Sequence, residues 1–381
     1  MPFGFFKKKK QDDTTSPEQS SSVSSSAVQY RRLKVNEVIN ETSDAITIVF
    51  EQPANETINY HAGQFFTLIP VIDGKKIRRA YSVCSSPFTD KLPAVTVKRV
   101  DKGLVSNFLN DHVKAGDELE VMDPMGNFYI TPGAASRHLV LLGGGSGITP
   151  LFAIAKTILS QEPESKITLL YGNRNDENII FKNELKQLQA TYGERFNLVH
   201  ILDEVSASVQ AIAGPPTTEL LQAEIEKLSR DKSLPISYWI CGPEGMMANC
   251  LKALENLNIA QEIIHKESFV PGTPASKAGE TIAEAGEGSG GAHEVKVIVD
   301  GEEYTFTVEA GKSILETALE LDIDLPYSCQ SGLCTACRGK CISGKVKLDE
   351  DEGLSEEELE EGYVLTCVGH PTTDNVVIEI G

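Results

Sequence analysis

Four cysteines constrain this chain more than anything else in it. Cys329, Cys334 and Cys337 stand at C-x4-C-x2-C spacing, and Cys367 follows after 29 intervening residues. Two bridged irons take two thiolates each, and this is the spacing of [2Fe–2S] ligation. One loop can deliver three of the sulfurs only if it curls around the cluster. Ser328, Ser331, Gly332, Thr335 and Ala336 are small or turn-tolerant, so backbone N–H groups can approach the sulfurs. Zinc on Cys334 and Cys337 is the competing reading, but zinc more often uses two C-x2-C knuckles, and one is present here. Cys341 reads as a small buried hydrophobe, not a ligand.

The last 88 residues, through the VLTCVGHP run that holds Cys367, resemble the plant-type ferredoxin family. The resemblance implies an α+β domain of β-grasp type over 294–381. Val295, Val297 and Val299 alternate, Asp300-Gly301 follows, and Tyr304, Phe306 and Val308 alternate again, which predicts a hairpin. A helix is expected from Ser313 to Leu321. This region carries 20 Asp and Glu against 6 Lys and Arg, a net of −14 out of −20 for the chain. Such a surface disfavours nucleic acid. It is either a solvated face or a docking surface for a basic redox partner.

From Tyr30 to about Thr131 the pattern is β. Short apolar runs at Leu33 and Val35, Ala45–Phe50, Phe65–Ile69, Ala80–Cys84, Ala94–Val100 and Glu118–Met122 are punctuated by Gly and Pro, as in a small antiparallel barrel. Arg79-Ala80-Tyr81-Ser82 lies inside it. Its arginine can pair with a pyrophosphate, its aromatic ring can stack on a flavin, and its hydroxyl can hydrogen-bond the ring near N5. Val97-Lys98-Arg99-Val100 follows. Then Gly103-Leu104-Val105-Ser106-Asn107 offers a turn and a helix start, an anion site. Pro124 to Phe128 closes the barrel.

Next comes a buried-strand run, His138–Leu142, then Gly143-Gly144-Gly145-Ser146-Gly147-Ile148-Thr149-Pro150, then a helical pattern. Strand, glycine turn and helix form the phosphate-binding arrangement of a nucleotide fold. Pro150 stands where a last glycine is usual, and proline suits a first helical turn. Strand runs at Leu139–Leu142, Ile167–Tyr171, Phe196–Leu202 and Ile236–Cys241 alternate with helical patterns near Thr149–Ser160, Phe181–Gln189, Glu219–Leu228 and Glu244–Leu257. That alternation predicts a parallel sheet with helices on both faces.

The ordered set RAYS, VKRV, GLVSN, PMGNF, GGGSGITP, Cys241-Gly242-Pro243 and Glu267-Ser268-Phe269 resembles the ferredoxin–NADP reductase superfamily over roughly 29–270. The resemblance implies an FAD-binding barrel over 29–133 and an NAD(P)-binding α/β domain over 134–270. It places Cys241 near the reactive carbon of the nicotinamide, and makes Ser82, Cys241 and Glu267 the candidate catalytic set. Phe269 becomes a candidate to cover the flavin. Arg174, at the end of the second strand, is the candidate for a 2′-phosphate, with Lys182 a further one, so NADPH is favoured over NADH.

Residues 1–28, with four lysines and a serine run, read as a disordered tail that could touch an anionic membrane surface. Residues 271–293 read as a flexible linker spanning about 26 Å as a random coil. The chain is therefore expected to be multi-domain. The apolar fraction of 40 % suffices for ordinary cores, and no apolar run is long enough for a transmembrane helix. No secretory signal is expected, and the cysteine usage fits a reducing, cytoplasmic setting.

The modular order looks like that of C-terminal-ferredoxin reductases. It implies a path from NAD(P)H through FAD and a [2Fe–2S] cluster to an acceptor protein such as an oxygenase or hydroxylase component. A desaturase or hybrid-cluster protein as acceptor, or a non-catalytic redox sensor, are the alternatives.

Overall fold

The computed structural model describes residues 30–54, 56–206, 208–228, 233–269, 291–299 and 301–380. The expected tail lies outside them. So does most of the expected linker, although its last residue, His293, already opens a strand.

The first region comprises β1 (Tyr30–Thr42), β2 (Ala45–Phe50), β3 (Phe65–Ile69), β4 (Val71–Ile72), β5 (Lys75–Lys76), β6 (Arg79–Ser82), β7 (Ala94–Lys98), α1 (Leu104–His112) and β8 (Glu118–Met125). Six strands pair antiparallel in the order β6-β3-β8-β1-β2-β7. A Val83–Val95 bridge joins its two edges, closing the curl. Leu33, Ile48, Phe50, Phe66, Leu68 and Val121 fill the interior. Successive side chains alternate across a strand, so Ile46, Ile48 and Phe50 face this interior while Ala45 and Val49 pack on the second region.

The second region alternates as expected: β9 (His138–Gly144), α2 (Ile148–Gln161), β10 (Lys166–Asn173), α3 (Lys182–Tyr192), β11 (Phe196–Leu202), β12 (Ala211–Ala213), α4 (Thr218–Leu228), β13 (Ile236–Cys241), α5 (Glu244–Asn256) and β14 (Ile264–Glu267). All are parallel in one six-stranded sheet, ordered β12-β11-β10-β9-β13-β14. Two of these strands go beyond the sequence pattern. β12 is three residues long, and β14 ends on Glu267, which the motifs mark only as a boundary. Phe181, expected inside α3, sits just before the helix with φ +59, because its N–H goes to Glu41 and its ring stacks on Phe152 at 4.4 Å.

The third region holds β15 (His293–Val299), β16 (Glu302–Val308), α6 (Ile314–Glu320), β17 (Arg338–Ser343), β18 (Val346–Leu348), α7 (Glu356–Glu360), β19 (Tyr363–Leu365), β20 (Gly369–Pro371) and β21 (Val376–Ile380). A mixed five-stranded sheet, β16-β15-β21-β17-β19, packs on α6. Ser313 caps α6 through the N–H of Glu316, and Ser355 with Glu358 forms a capping box on α7.

Candidate functional site

β6 is an edge strand paired with β3, with Phe65 opposite Ser82 and Thr67 opposite Ala80. Arg79 is exposed, Ala80 and Tyr81 are half-buried, and Ser82 is buried. Arg79 donates to the carbonyl of Arg78 at 2.7 Å. Burial pushes the Tyr81 phenol up, so it remains a neutral ring at ordinary pH. On β7, Val97 belongs to the barrel core. Ser106 accepts the Val100 N–H at 3.1 Å and lies 3.4 Å from the Gly103 carbonyl, so its hydroxyl is committed to its own turn. Val105 is buried beside it. Arg99 donates to Asp111 at 2.6 Å.

The motif order groups Lys98 with the flavin residues. Its Nζ reaches out of the barrel, 3.6 Å from Asp44 and 3.9 Å from where a Cβ on Gly145 would stand, at the glycine turn of the second region. The turn is tight for a reason. A Cβ on Gly147 would lie 2.0 Å from the Cys241 carbonyl, and one on Gly144 would lie 2.4 Å from Met246 Sδ. Tyr171 Oη donates to the Gly145 carbonyl at 3.0 Å, and Thr149 Oγ1 donates to the Ser146 carbonyl at 2.9 Å. Pro150 is buried in the first turn of α2.

A cleft of about 530 Å³ opens over the carboxyl ends of β9 and β10. Gly144, Gly145, Arg174, Asp203, Pro243 and Lys98 line it. The glycine turn that lines it leads into α2, and a helix N-terminus presents free N–H groups and the positive end of its dipole, which suits a phosphate. Asn173 also lines the cleft, and its amide meets the Tyr171 hydroxyl. The cleft therefore fits a dinucleotide. Lys182, the further candidate for a 2′-phosphate, is paired with Asp176 at 3.1 Å.

Cys241 and Glu267 end β13 and β14 side by side. Burial, and then the Glu267 charge, push the Cys241 thiol well up. Burial, followed by Cys329 and Glu352, pushes Glu267 up to about 8. Gly242 packs on Gly144, and Pro243 precedes α5. Phe269 is exposed.

The loop between α6 and β17 carries Cys329, Cys334 and Cys337, and the β19–β20 turn brings Cys367 to them. Gln330 at φ +57 and Gly332 at φ +76 make the curl. Cys329 Sγ and Cys334 Sγ lie 3.2 Å apart, and the Ser331 N–H points at Cys329 Sγ from 3.4 Å. The thiols of Cys334 and Cys367 hold Cys329 well below the usual thiol range, and Cys367 also meets Cys337. All four are free, with no disulfide among them. Four converging soft donors, one already favoured as thiolate, fit a thiolate-bound cluster. Cys341 is half-buried on β17 rather than buried, and is engaged by the Ser343 carbonyl.

This loop is seated on the barrel. Cys334 and Ala336 pack on Phe65, Ile69 and Met122, with Cys329, Ala80 and Met125 at the margin. The Thr67 and Ser328 hydroxyls hydrogen-bond across the junction. Arg78 is buried there, bonded to Asp324 at 2.5 and 3.3 Å and lying 5.3 Å over the ring of Tyr327. Asn127 donates to the Glu352 carbonyl at 2.9 Å.

Three family models match, in the same order as the three regions. They are an oxidoreductase FAD-binding domain over residues 32–130, an oxidoreductase NAD-binding domain over 141–252, and a 2Fe-2S iron-sulfur cluster binding domain over 297–372. The chain is 35 % identical to a component of the 1,2-phenylacetyl-CoA epoxidase of Escherichia coli, covering 92 % of this chain and 97 % of that one. It belongs to the ferredoxin–NADP reductase superfamily, in the branch with a C-terminal plant-type [2Fe–2S] domain. It is 36 % identical to the ferredoxin reductase component of 3-ketosteroid-9-alpha-monooxygenase from Rhodococcus rhodochrous, covering 91 % of this chain and 96 % of that one. The solved phthalate dioxygenase reductase shares the fold at TM-score 0.57 and 21 % identity, covering 92 % and 98 % of the two chains.

This reductase is thus an NAD(P)H-dependent oxidoreductase that uses FAD and a [2Fe–2S] cluster. No described helix is long and apolar enough to cross a membrane. Motif spacing does not reveal Thr67, Arg78, Asp44, Asn173 or Asp203. All five act across a junction or a cleft, where no local pattern marks them.

Proposed function

We propose that this reductase is the electron-delivering component of an oxygenase or hydroxylase system, drawing on NAD(P)H and handing electrons singly to a separate protein. The observation that carries this is the seating of the cluster loop on the β3/β6 pair, beside the flavin motif. Likeness along nearly the whole chain to an epoxidase subunit and to the ferredoxin reductase component of a monooxygenase supports the class of acceptor. Bound FAD supplies the change from two-electron to one-electron chemistry, and the cluster carries single electrons.

The chain's own residues then take these roles. Arg79 pairs with the flavin's phosphates, Tyr81 lies against the ring, and the Ser82 hydroxyl holds a hydrogen bond near N5. Ala80, the Val97–Arg99 backbone and the Gly103–Ser106 turn complete the flavin seat, with Phe269 as a cover. Gly144, Gly145, Gly147, Thr149 and Pro150 shape the nucleotide diphosphate seat, and Lys98 adds charge to it. Cys241, Gly242 and Pro243 flank the nicotinamide, and the buried Glu267 carboxyl stands beside them. Cys329, Cys334, Cys337 and Cys367 hold the cluster. Arg174 takes a 2′-phosphate, which favours NADPH, whereas the Asp203 carboxylate in the same cleft suits the ribose diol of NADH.

The acceptor meets the acidic flank of the cluster loop. Asp349 and Asp351 are exposed there, while Glu350 packs over Gly332. The setting is cytoplasmic, in keeping with free thiols. Reconstitution with the oxygenase component of a neighbouring gene tests the proposal. NAD(P)H-dependent substrate oxidation that needs both proteins supports it. Full reduction of the reductase with no electron reaching any such component contradicts it.

A further inference from the structure

The junction between barrel and cluster loop is built from unlike parts, and their arrangement is informative. Thr67 is fully buried on β3, directly opposite Ala80 of the flavin motif. Its hydroxyl bonds that of Ser328, itself buried and adjacent in sequence to the ligand Cys329. A continuous run of covalent and hydrogen bonds therefore leads from β6 across β3 to a cluster ligand. On either side of it the junction is apolar, with Phe65 and Ile69 against Cys334 and Ala336. Water is excluded from both hydroxyls. Each depends on the other for its partner, and an unpartnered buried hydroxyl is costly.

Arg78 stands next to this bridge. Its side chain is 6 % exposed, while that of its partner Asp324 is 64 % exposed, so the burial is all on the barrel side. Arg78 Nε has no hydrogen-bond partner. Besides Tyr30 of the barrel, the guanidinium is held by Asp324 and the Tyr327 ring, both from the lead-in to the cluster loop. Lys75 adds a more exposed pair to Asp322 at 2.5 Å.

We propose that Thr67 is a positioning residue for electron transfer, bridging the flavin strand to the Cys329 side of the cluster through Ser328, and that Arg78 with Asp324 is the latch that keeps this bridge closed. This rests on the proposed reductase function. With both groups bound, the flavin would give and the cluster would take one electron per event. No covalent bond forms or breaks, NAD(P)H is the reductant, and the acceptor protein is the oxidant that empties the cluster.

The test uses the full-length protein with both cofactors. Thr67→Val keeps the shape and removes the hydroxyl. It should slow flavin-to-cluster transfer about tenfold in anaerobic stopped-flow, less than the roughly hundredfold that a full 1 Å misplacement can cost. Reduction of the flavin by NAD(P)H should be unchanged. Asp324→Asn leaves the barrel intact and loosens the latch. Hydrogen exchange of the 324–329 segment and of β3 should then rise about fivefold, as for a partly exposed ion pair. This readout needs no turnover. Native transfer in Thr67→Val together with native exchange in Asp324→Asn would overturn the proposal. A cluster that is never reduced in the wild-type protein would instead overturn the reductase reading itself.

Discussion

The barrel meets its two neighbours by different means. Against the nucleotide domain it shares one core. Ala45, Val49, Ala62, Cys84, Ala94, Phe128 and Ile130 pack in the same cluster as Leu139, Ile148, Phe152 and Trp239. The buried Ser86–Thr157 hydrogen bond at 2.7 Å and the partly buried Lys156–Asp90 pair at 2.5 Å fasten the same joint. Against the cluster domain the apolar contact is small, and hydroxyls and ion pairs carry the rest. An interface that continues a hydrophobic core holds two domains as one body, while a small polar one permits movement. The difference suits the chemistry. Nicotinamide and flavin must meet in one fixed geometry, whereas a cluster must face both a donor and an acceptor.

The largest effect that separates the two joints comes from removing a cluster ligand. Cys334→Ser should abolish one-electron delivery to the acceptor while flavin reduction by NAD(P)H persists, seen in stopped-flow absorbance. Acceptor reduction at the normal rate would show that the cluster is bypassed. Next is the shared core. Phe152→Ala should cost about 3–5 kcal/mol. In calorimetry the barrel and nucleotide domains should unfold together at a lower temperature, leaving a separate ferredoxin-domain transition in place. Loss of only one of the two fused domains would break the comparison.

Within the fused unit, Arg174→Ala should raise the KM for NADPH about tenfold and spare NADH, the weight of a charge-assisted hydrogen bond. Asp203→Asn should act in the opposite sense, favouring NADPH. Equal effects on both nucleotides would remove the 2′-phosphate role. The smallest effect concerns pH. Burial, then Lys182 and Lys186, lowers His200 to about 4 from 6.5. A lowered value means the folded state resists protonation. Stability from this group is full above about 6.5 and is lost as pH falls toward 4. His200→Gln should flatten that decline by about 3 °C in the Tm of the fused unit, and leave the ferredoxin transition unmoved.

Much of this is legible in the sequence because the chemistry is local. Three cysteines in one loop, a glycine turn between strand and helix, and alternating valines before Asp300-Gly301 each carry their geometry in their spacing. Contacts made between domains carry no such mark. Thr67 reads as one more strand residue, and Arg78 as a neighbour of the flavin motif rather than a buried cation. Lys98 is legible as a binding residue but not as one that leaves the barrel for the nucleotide cleft. The helix expected from Phe181 begins one residue later, because a tertiary contact to Glu41 outweighs local periodicity there.

The most direct measurement is an anaerobic titration of the purified protein with NADPH and with NADH, following flavin and cluster absorbance together. The account predicts that one nucleotide, at a far lower concentration than the other, bleaches the flavin band and then the cluster band. A flavin that bleaches fully while the cluster stays oxidised, even with a mediator-free excess of nucleotide, would contradict it.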